Sequence, residues 1–447
     1  MLKEKESLTE GLVKLLQRPK EAQDRARACL HVLDWLGCAV AANLTPVGKV
    51  VRSYVRSSPA GECNALSAGK KDRHWAILVN GALGSVLELD DIYQASVLHP
   101  GTIVVPAALV SAQAHGASPK AFLDALISGY EALIRIGRAL GPSQHRYYNS
   151  ATCGAFGAAA AAASVLGLDA KKTVSALGNA GSRTGGFWQM RSESVMTQSF
   201  HHAQAARSGL TAAELAACGL TGPRNILEGP EGLFEAASRD ATPERVVEDI
   251  YEPWMIYDTS FKLWPSARHV DPVVDAVLEL REQAPDIGLV EEISVITYTE
   301  AIELCDRQDP GSAGHARLSL QHAAAVALLK GKPQLRDFSL KAIQDKRLVA
   351  LRSRVRLKSG KAYDSAYPVH RGAEVLIKLR DGRTYSFAVP DAKGDPENPL
   401  SRKEIKSKAR SLMQAAGLDE ARVEALTAAT LGLESADKLD AFAAALP

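Results

Sequence analysis

Paired cysteines, long apolar runs and an excess of charge of either sign are all missing from this 447-residue chain, and each absence closes off a class of protein. The six cysteines (Cys29, Cys38, Cys63, Cys153, Cys218, Cys305) form no C-x-x-C pair, which argues against a disulfide framework or an iron–sulfur cluster and for thiols in a reducing compartment. The longest uncharged run, Tyr147 to Leu168, is built mainly from Ala, Gly, Ser and Thr, which gain little from hydrocarbon, so it reads as a buried helix rather than a membrane span. A net charge of +2 provides no global field for nucleic acid or an anionic membrane, so neither is expected as a partner. The N-terminal MLKEKESLTEGLVKLL lacks the apolar core of a signal peptide, and a cytoplasmic location is expected. There is no G-x-x-x-x-G-K-[ST] loop, and no G-x-G-x-x-G between a strand and a helix, so no seat for a nucleotide is visible. No H-x-x-x-H or H-E-x-x-H pair puts two metal ligands on one helical face, and adjacent His201 and His202 would point about 100° apart, so no metal is expected.

What the chain does have is apolar residues for a large core, 46% of the total, and enough length for two domains. To about Leu263 the spacing is helical. Ala22, Ala26, Cys29, Leu30, Leu33, Leu36 and Val40 recur on one face, and similar patterns run over Trp75–Leu89, Val104–His115, Pro119–Leu140, Gly154–Leu166 and Ala203–Cys218. After Pro265 the texture changes. Glu292–Thr299 alternates like a half-buried strand, and Ala373–Leu379 and Thr384–Val389 flank Asp381-Gly382 as a hairpin. Helices over Pro272–Gln283 and Leu318–Lys330 would cover that sheet, and Ser401 with Glu404 forms a capping box for a final helical tail. The expected fold is mainly α: an all-helical bundle domain over residues 1–265 and 400–447, with the C-terminal helices returning to it, and a smaller α+β lid domain over residues 266–399.

Three polar concentrations could carry chemistry. The first is Glu88-Leu89-Asp90-Asp91 followed by His99-Pro100-Gly101, a mixture of carboxylates and imidazole in which one group can orient a proton that another moves, or which can equally be a solvated helix cap. The second runs from Gly178 to His202, where Arg183, Arg191, Gln198, His201 and His202 stand among glycines and hydroxyls, as in a loop that holds a carboxylate or a purely structural one. The third, Phe261 to Pro272 with Lys262, Arg268 and His269, lies at the change of texture, where clefts are common and where interdomain ion pairs are equally at home.

Taken together and in order, these segments resemble the MmgE/PrpD family. The resemblance rests on Leu87–Thr102 (LELDD…HPGT), Ala151–Leu168, Gln204–Gly209, Phe261–Val277 (FKLWPSARHVDPVVDAV), Ala316–Leu328 and Ala392–Ser401. It implies a helical domain with an α+β lid, action without a metal or organic cofactor, and a homodimer acting on a small di- or tricarboxylate. The activity it implies is a hydro-lyase of the 2-methylcitrate dehydratase type, with an epimerase or isomerase, or a decarboxylase, as alternatives. A non-catalytic carboxylate-binding homologue is the reading from another class. On this resemblance His99 matches the histidine of an HP motif, Lys262 the lysine of a K-x-x-P motif, and Arg268-His269 the pair that follows. Departures are Glu88 for a usual Asp, Tyr148 for a frequent His, Gln198 for a frequent Lys and Asp271 for a frequent His. The mechanism expected is that Lys262 and Arg268, with Arg183 or Arg191, clamp carboxylates while His99 moves a proton. Tyr148 serves as second acid or base, Asp91 or Glu88 orients His99, and His269, Gln198 and His201 contact substrate.

Overall fold

The computed structural model of the protein describes residues 6–141, 146–193, 195–283 and 286–447. The chain divides into two units. One comprises the described parts of Met1–Val86, Asp90–Thr259 and Ser401–Pro447, the other Leu87–Leu89 and Ser260–Leu400. The protein is mainly α-helical, and among the described residues the named strands form a short hairpin and one small sheet.

Ahead of the second unit, the described residues of the first unit include the helices α1 (Leu8–Leu16), α2 (Ala22–Ala42), α3 (Pro46–Tyr54), α4 (Arg73–Leu83), α5 (Gly101–Ala114), α6 (Pro119–Ala139), α7 (Asn149–Val165), α8 (Ala170–Ser182) and α9 (Thr197–Ala217). Local chemistry sets their starts. Ser7 and Glu10 close a capping box on α1, and Thr45 and Ser118 accept from backbone N–H groups just ahead of a first-turn proline in α3 and α6. Propensity alone would not hold such helices in water; packing does. α7, the alanine-rich run, is buried along most of its length between α5, α6 and α9. Its contact with α6 depends on two glycines: a Cβ on Gly157 would lie 2.8 Å from the Gly129 carbonyl oxygen and 2.7 Å from Leu133 Cβ. The strands β1 (Cys63–Ala65) and β2 (Gly69–Lys71) form a minimal hairpin beside α4.

After the second unit the chain returns as helices Arg402–Ala415, Glu420–Leu431 and Asp440–Ala445. Ser401 and Glu404 form the expected capping box. The first of these helices packs on α2, where Lys408 reaches the buried Asp34 carboxylate at 2.5 Å. Burial pushes the Asp34 carboxyl up to about 6 against the pull of Lys408. Among the described residues no single helix is long and apolar enough to cross a membrane; the bent pair α2–α3 passes only by length and composition.

In the second unit a four-stranded sheet runs in the order β4 (Val355–Ser359), β3 (Val290–Thr297), β5 (Ala373–Leu379), β6 (Thr384–Val389). β3 pairs parallel with β4 and antiparallel with β5, and β5–β6 is the hairpin read from Asp381-Gly382, with Gly382 at φ +89°. Helices Asp271–Gln283 and Leu320–Lys330 bury Val273, Val277, Leu280, Ala324 and Leu328 in one core with Ile293, Val295, Val375 and Ile377. The placement of Leu87–Leu89 with this unit is a long-range outcome that no local sequence signal announces.

Candidate active site

The link between α4 and α5 doubles back on itself. Tyr93 and Leu98 exchange backbone hydrogen bonds of 2.8 and 3.1 Å, and Val97 takes a left-handed conformation at φ +52°. The start of α7 fastens this loop: Asn149 Nδ2 donates to the Ser96 carbonyl at 2.6 Å, and Ser150 Oγ accepts from the His99 N–H at 3.0 Å. Asp90 and His99, both buried, are thereby brought face to face, with Oδ2 2.7 Å from Nδ1. A carboxylate on Nδ1 fixes the proton there, so that Nε2 becomes the nitrogen that accepts one, and it stabilises the ring when it does.

Asp91, the next residue, faces elsewhere. Its Oδ1 accepts from Gly101 N at 2.9 Å, capping α5, while Oδ2 lies 2.6 Å from both His31 Nδ1 and the Tyr130 hydroxyl. A side chain at position 101 would collide with this arrangement, since a Cβ there would lie 2.6 Å from Asp91 Oδ1. Burial pushes the His31 imidazole down to about 4 despite the carboxylate, and burial also holds the Tyr130 hydroxyl well above its usual range. The expectation that Asp91 or Glu88 orients His99 is therefore corrected: Asp90 does so, and Asp91 anchors the helix that follows the histidine.

A second chain of polar groups lies beside the first. His202 on α9 is fully buried, with Nδ1 2.7 Å from Ser85 Oγ and Nε2 2.7 Å from the Tyr148 hydroxyl. Gln198, one turn earlier on α9, donates to the same hydroxyl at 3.3 Å. Trp188 packs edge-on against the Tyr148 ring at 4.8 Å, and Tyr148 N donates to the Gly186 carbonyl at 2.8 Å, so the Gly185–Trp188 loop holds the tyrosine. The His99 and His202 rings are 5.9 Å apart, which brings the two proton-carrying chains into one cluster. His201 is half-buried, its ring 5.9 Å from Tyr148; Nδ1 has no hydrogen-bond partner among the described residues, and burial lowers the ring's affinity for a proton. Arg183 ends α8 as an exposed side chain, and the Arg191 side chain lies outside the described residues.

The second unit carries the remaining candidates. Lys262 is buried with its Nζ 3.6 Å from Glu88, a carboxylate that Arg317 also faces. His269 pairs through Nδ1 with the Tyr298 hydroxyl at 2.6 Å, and Tyr298 stacks on Tyr367. Arg268, expected to clamp substrate, is engaged within its own unit. Its guanidinium is buried between the carboxylates of Asp271, 3.0 Å away, and Asp395, and it donates to the Lys393 and Ala392 carbonyls. It ties the loop around Ala392–Asp395 to the start of helix Asp271–Gln283, and its charge is already matched. Asp271, fully buried and bonded also to Ser266 Oγ at 2.7 Å, has its carboxyl pushed up to about 7 by burial, against the pull of Arg268.

Four contributors had no part in the expected mechanism: Asp90, grouped with the first polar concentration but given no role of its own; His202, grouped with the second; Ser85; and Asp395. Among the described residues no group of three or more His, Cys, Asp or Glu side chains is placed to hold a metal ion. What the first unit offers instead is paired imidazole, carboxylate and phenol groups, which hold and move protons.

A helical unit with buried acid–base chains, joined to an α+β unit, is the kind of protein that comparison with known sequences then specifies. The chain belongs to the MmgE/PrpD family: the MmgE/PrpD N-terminal domain matches residues 13–246 and the C-terminal domain residues 264–433. A cis-aconitate decarboxylase-like protein of Aspergillus oryzae is 25% identical over 93% of this chain and 91% of its own length. Human cis-aconitate decarboxylase is 27% identical over 85% of this chain and 81% of its own. The 2-methylcitrate dehydratase of Escherichia coli is 25% identical over 31% of each chain.

Proposed function

We propose that the protein is a lyase that removes water from a small hydroxy di- or tricarboxylate, with proton abstraction next to a carboxylate as the difficult step. The observation that carries this reading is the presence of two separate proton-carrying chains in one buried cluster, Asp90–His99 and Ser85–His202–Tyr148. Dehydration uses both: one group takes the proton from carbon, the other gives a proton to the departing hydroxyl. Decarboxylation removes no proton and needs only one acid, to protonate the carbanion left behind.

In the proposed step His99 Nε2 takes the C–H proton, the electron pair becomes the new C=C bond, the C–O bond breaks, and the hydroxyl leaves as water with a proton from Tyr148. Asp90 stabilises the imidazolium that forms. The K-x-x-P resemblance assigns Lys262 the binding of a substrate carboxylate. No step requires a cofactor.

Decarboxylation is the second reading, and the relatives aligned over most of the chain favour it. Proton NMR in D2O with a panel of C4 to C7 di- and tricarboxylates separates the outcomes. A new olefin with loss of water supports the proposal. Release of CO2, or deuterium entering a C–H position without an olefin, replaces it with decarboxylase or epimerase, and saturable binding without any exchange removes enzymatic activity altogether.

A further inference from the structure

His202 is a buried imidazole to which the expected mechanism gives no step, and its hydrogen bonds decide how Tyr148 can act. Ser85 Oγ is nearly inaccessible and, among the described residues, has no hydrogen-bond partner other than His202 Nδ1. If Nδ1 carried the proton, the serine would accept it and its own O–H would lie buried without an acceptor, a cost of about 1–3 kcal/mol. The favoured arrangement is the reverse: Ser85 O–H donates to Nδ1, which leaves the proton of His202 on Nε2, 2.7 Å from the Tyr148 oxygen. Gln198 Nε2 donates to that oxygen as well, at 3.3 Å. Two N–H groups then converge on one phenol oxygen, and Tyr148 is itself almost wholly buried, where such donors are worth most.

We propose that His202, held in its Nε2–H form by Ser85, is a positioning residue that makes Tyr148 the proton donor of this site. Fixed donors aimed at an oxygen stabilise the negative charge that grows there as its proton leaves. A phenol ordinarily gives up its proton near pH 10, so an unassisted tyrosine is a slow acid at neutrality. With His202 and Gln198 in place, the charge left on Tyr148 when the hydroxyl departs meets two dipoles already oriented toward it. The proton balance is complete: Tyr148 gives one proton to the leaving group, His202 keeps its own, and solvent returns one to Tyr148 before the next turnover. The inference rests on the dehydratase reading for the identity of the leaving group, but not for the hydrogen-bond direction.

Two measurements on the intact protein test it. Nitrogen-15 NMR of histidine-labelled protein reads the tautomer without any substrate. A protonated Nε2 with a bare Nδ1 on His202, lost in Ser85→Ala, is expected; a protonated Nδ1 in wild type overturns the proposal whatever the enzyme's reaction proves to be. Kinetics with the substrate found in the carboxylate panel gives the second. His202→Asn keeps an amide near the Nδ1 position but withdraws the donor from Tyr148, and should lower kcat by about 10- to 100-fold, as expected for one hydrogen bond to developing charge, with KM nearly unchanged. His202→Gln, whose amide reaches the Nε2 position, should restore most of the rate. In a Tyr148→Phe background His202→Asn should have no further effect, because the two act as one unit. Independent, multiplicative losses, or equal losses in the Asn and Gln variants that track thermal stability, would assign His202 to packing alone.

Discussion

Adjacent carboxylates with opposite roles give the sharpest test of this site. Asp90 and Asp91 are both buried, yet one faces His99 and the other faces His31, Tyr130 and the first turn of α5. In Asp90→Asn the side-chain oxygen still accepts from Nδ1, so the fold and the ring orientation should survive. What goes is the charge that steadies the imidazolium. Two unit charges about 4 Å apart at an effective dielectric of about 20 interact by about 4 kcal/mol. The neutral bond that remains recovers about 1 kcal/mol of this. A net loss of about 3 kcal/mol corresponds to a fall in kcat of roughly 10²-fold. Asp91→Asn should do the opposite. Its second oxygen becomes an amide nitrogen that cannot accept from His31 or Tyr130, and each hydrogen bond to a charged group lost in this way costs about 1.5–3 kcal/mol of stability. The folded fraction should keep kcat within about tenfold of wild type. Steady-state kinetics on the substrate found by NMR, beside thermal unfolding followed by circular dichroism, reads both. An Asp90→Asn enzyme of near-normal turnover, or an Asp91→Asn enzyme that is stable but inactive, would refute the division of labour drawn from these distances.

Three further outcomes follow from the buried charges. Arg268→Met leaves Asp271 and Asp395 buried without their cation and should destabilise the second unit by about 3–5 kcal/mol in urea unfolding, whereas a raised KM with unchanged stability would restore the substrate-clamp role. Lys408→Met strands Asp34, whose carboxyl already sits near 6; the stability lost should be larger at about pH 8, where that group must be charged, than at about pH 5, where it can hold a proton. Asp271 binds its proton more tightly folded than unfolded, with its carboxyl raised to about 7. Its contribution is therefore full below about pH 4 and is lost as the pH rises through about 7. Wild type should accordingly lose stability relative to Asp271→Asn across that window, and parallel pH profiles of the two unfolding midpoints would contradict it.

The helical half was legible because its signals are local. The apolar period of α2, the serine and threonine caps and the proline starts each act within one or two turns, and packing then agreed with them. The hairpin β5–β6 was legible for the same reason, through Asp381-Gly382. β4 was not: it is a short edge strand on which only Val355 is buried, and its parallel pairing with β3 is set by distant residues. The candidate site divides along the same line. The sequence identified His99, Tyr148 and Lys262 as residue types suited to proton and carboxylate chemistry, but not their partners. Which of two neighbouring aspartates meets His99 depends on a loop in which Glu88 and Val97 adopt positive φ, and neither is a glycine that would have marked the turn.

His202 shows the limit most clearly. In the sequence its adjacency to His201 says only that the two side chains, successive on a helix, point apart. That same divergence sends His202 into the core while His201 stays half-buried. What makes His202 informative is Ser85 on one side and Tyr148 on the other, residues far from it in sequence that only the packing of α4, α7 and α9 brings within 2.7 Å. A phenol at position 148 in place of a histidine reads, in one dimension, as the loss of a proton carrier. In three dimensions an imidazole stands against that phenol's oxygen, so the proton chemistry at Tyr148 has to be judged on the pair rather than on the tyrosine alone.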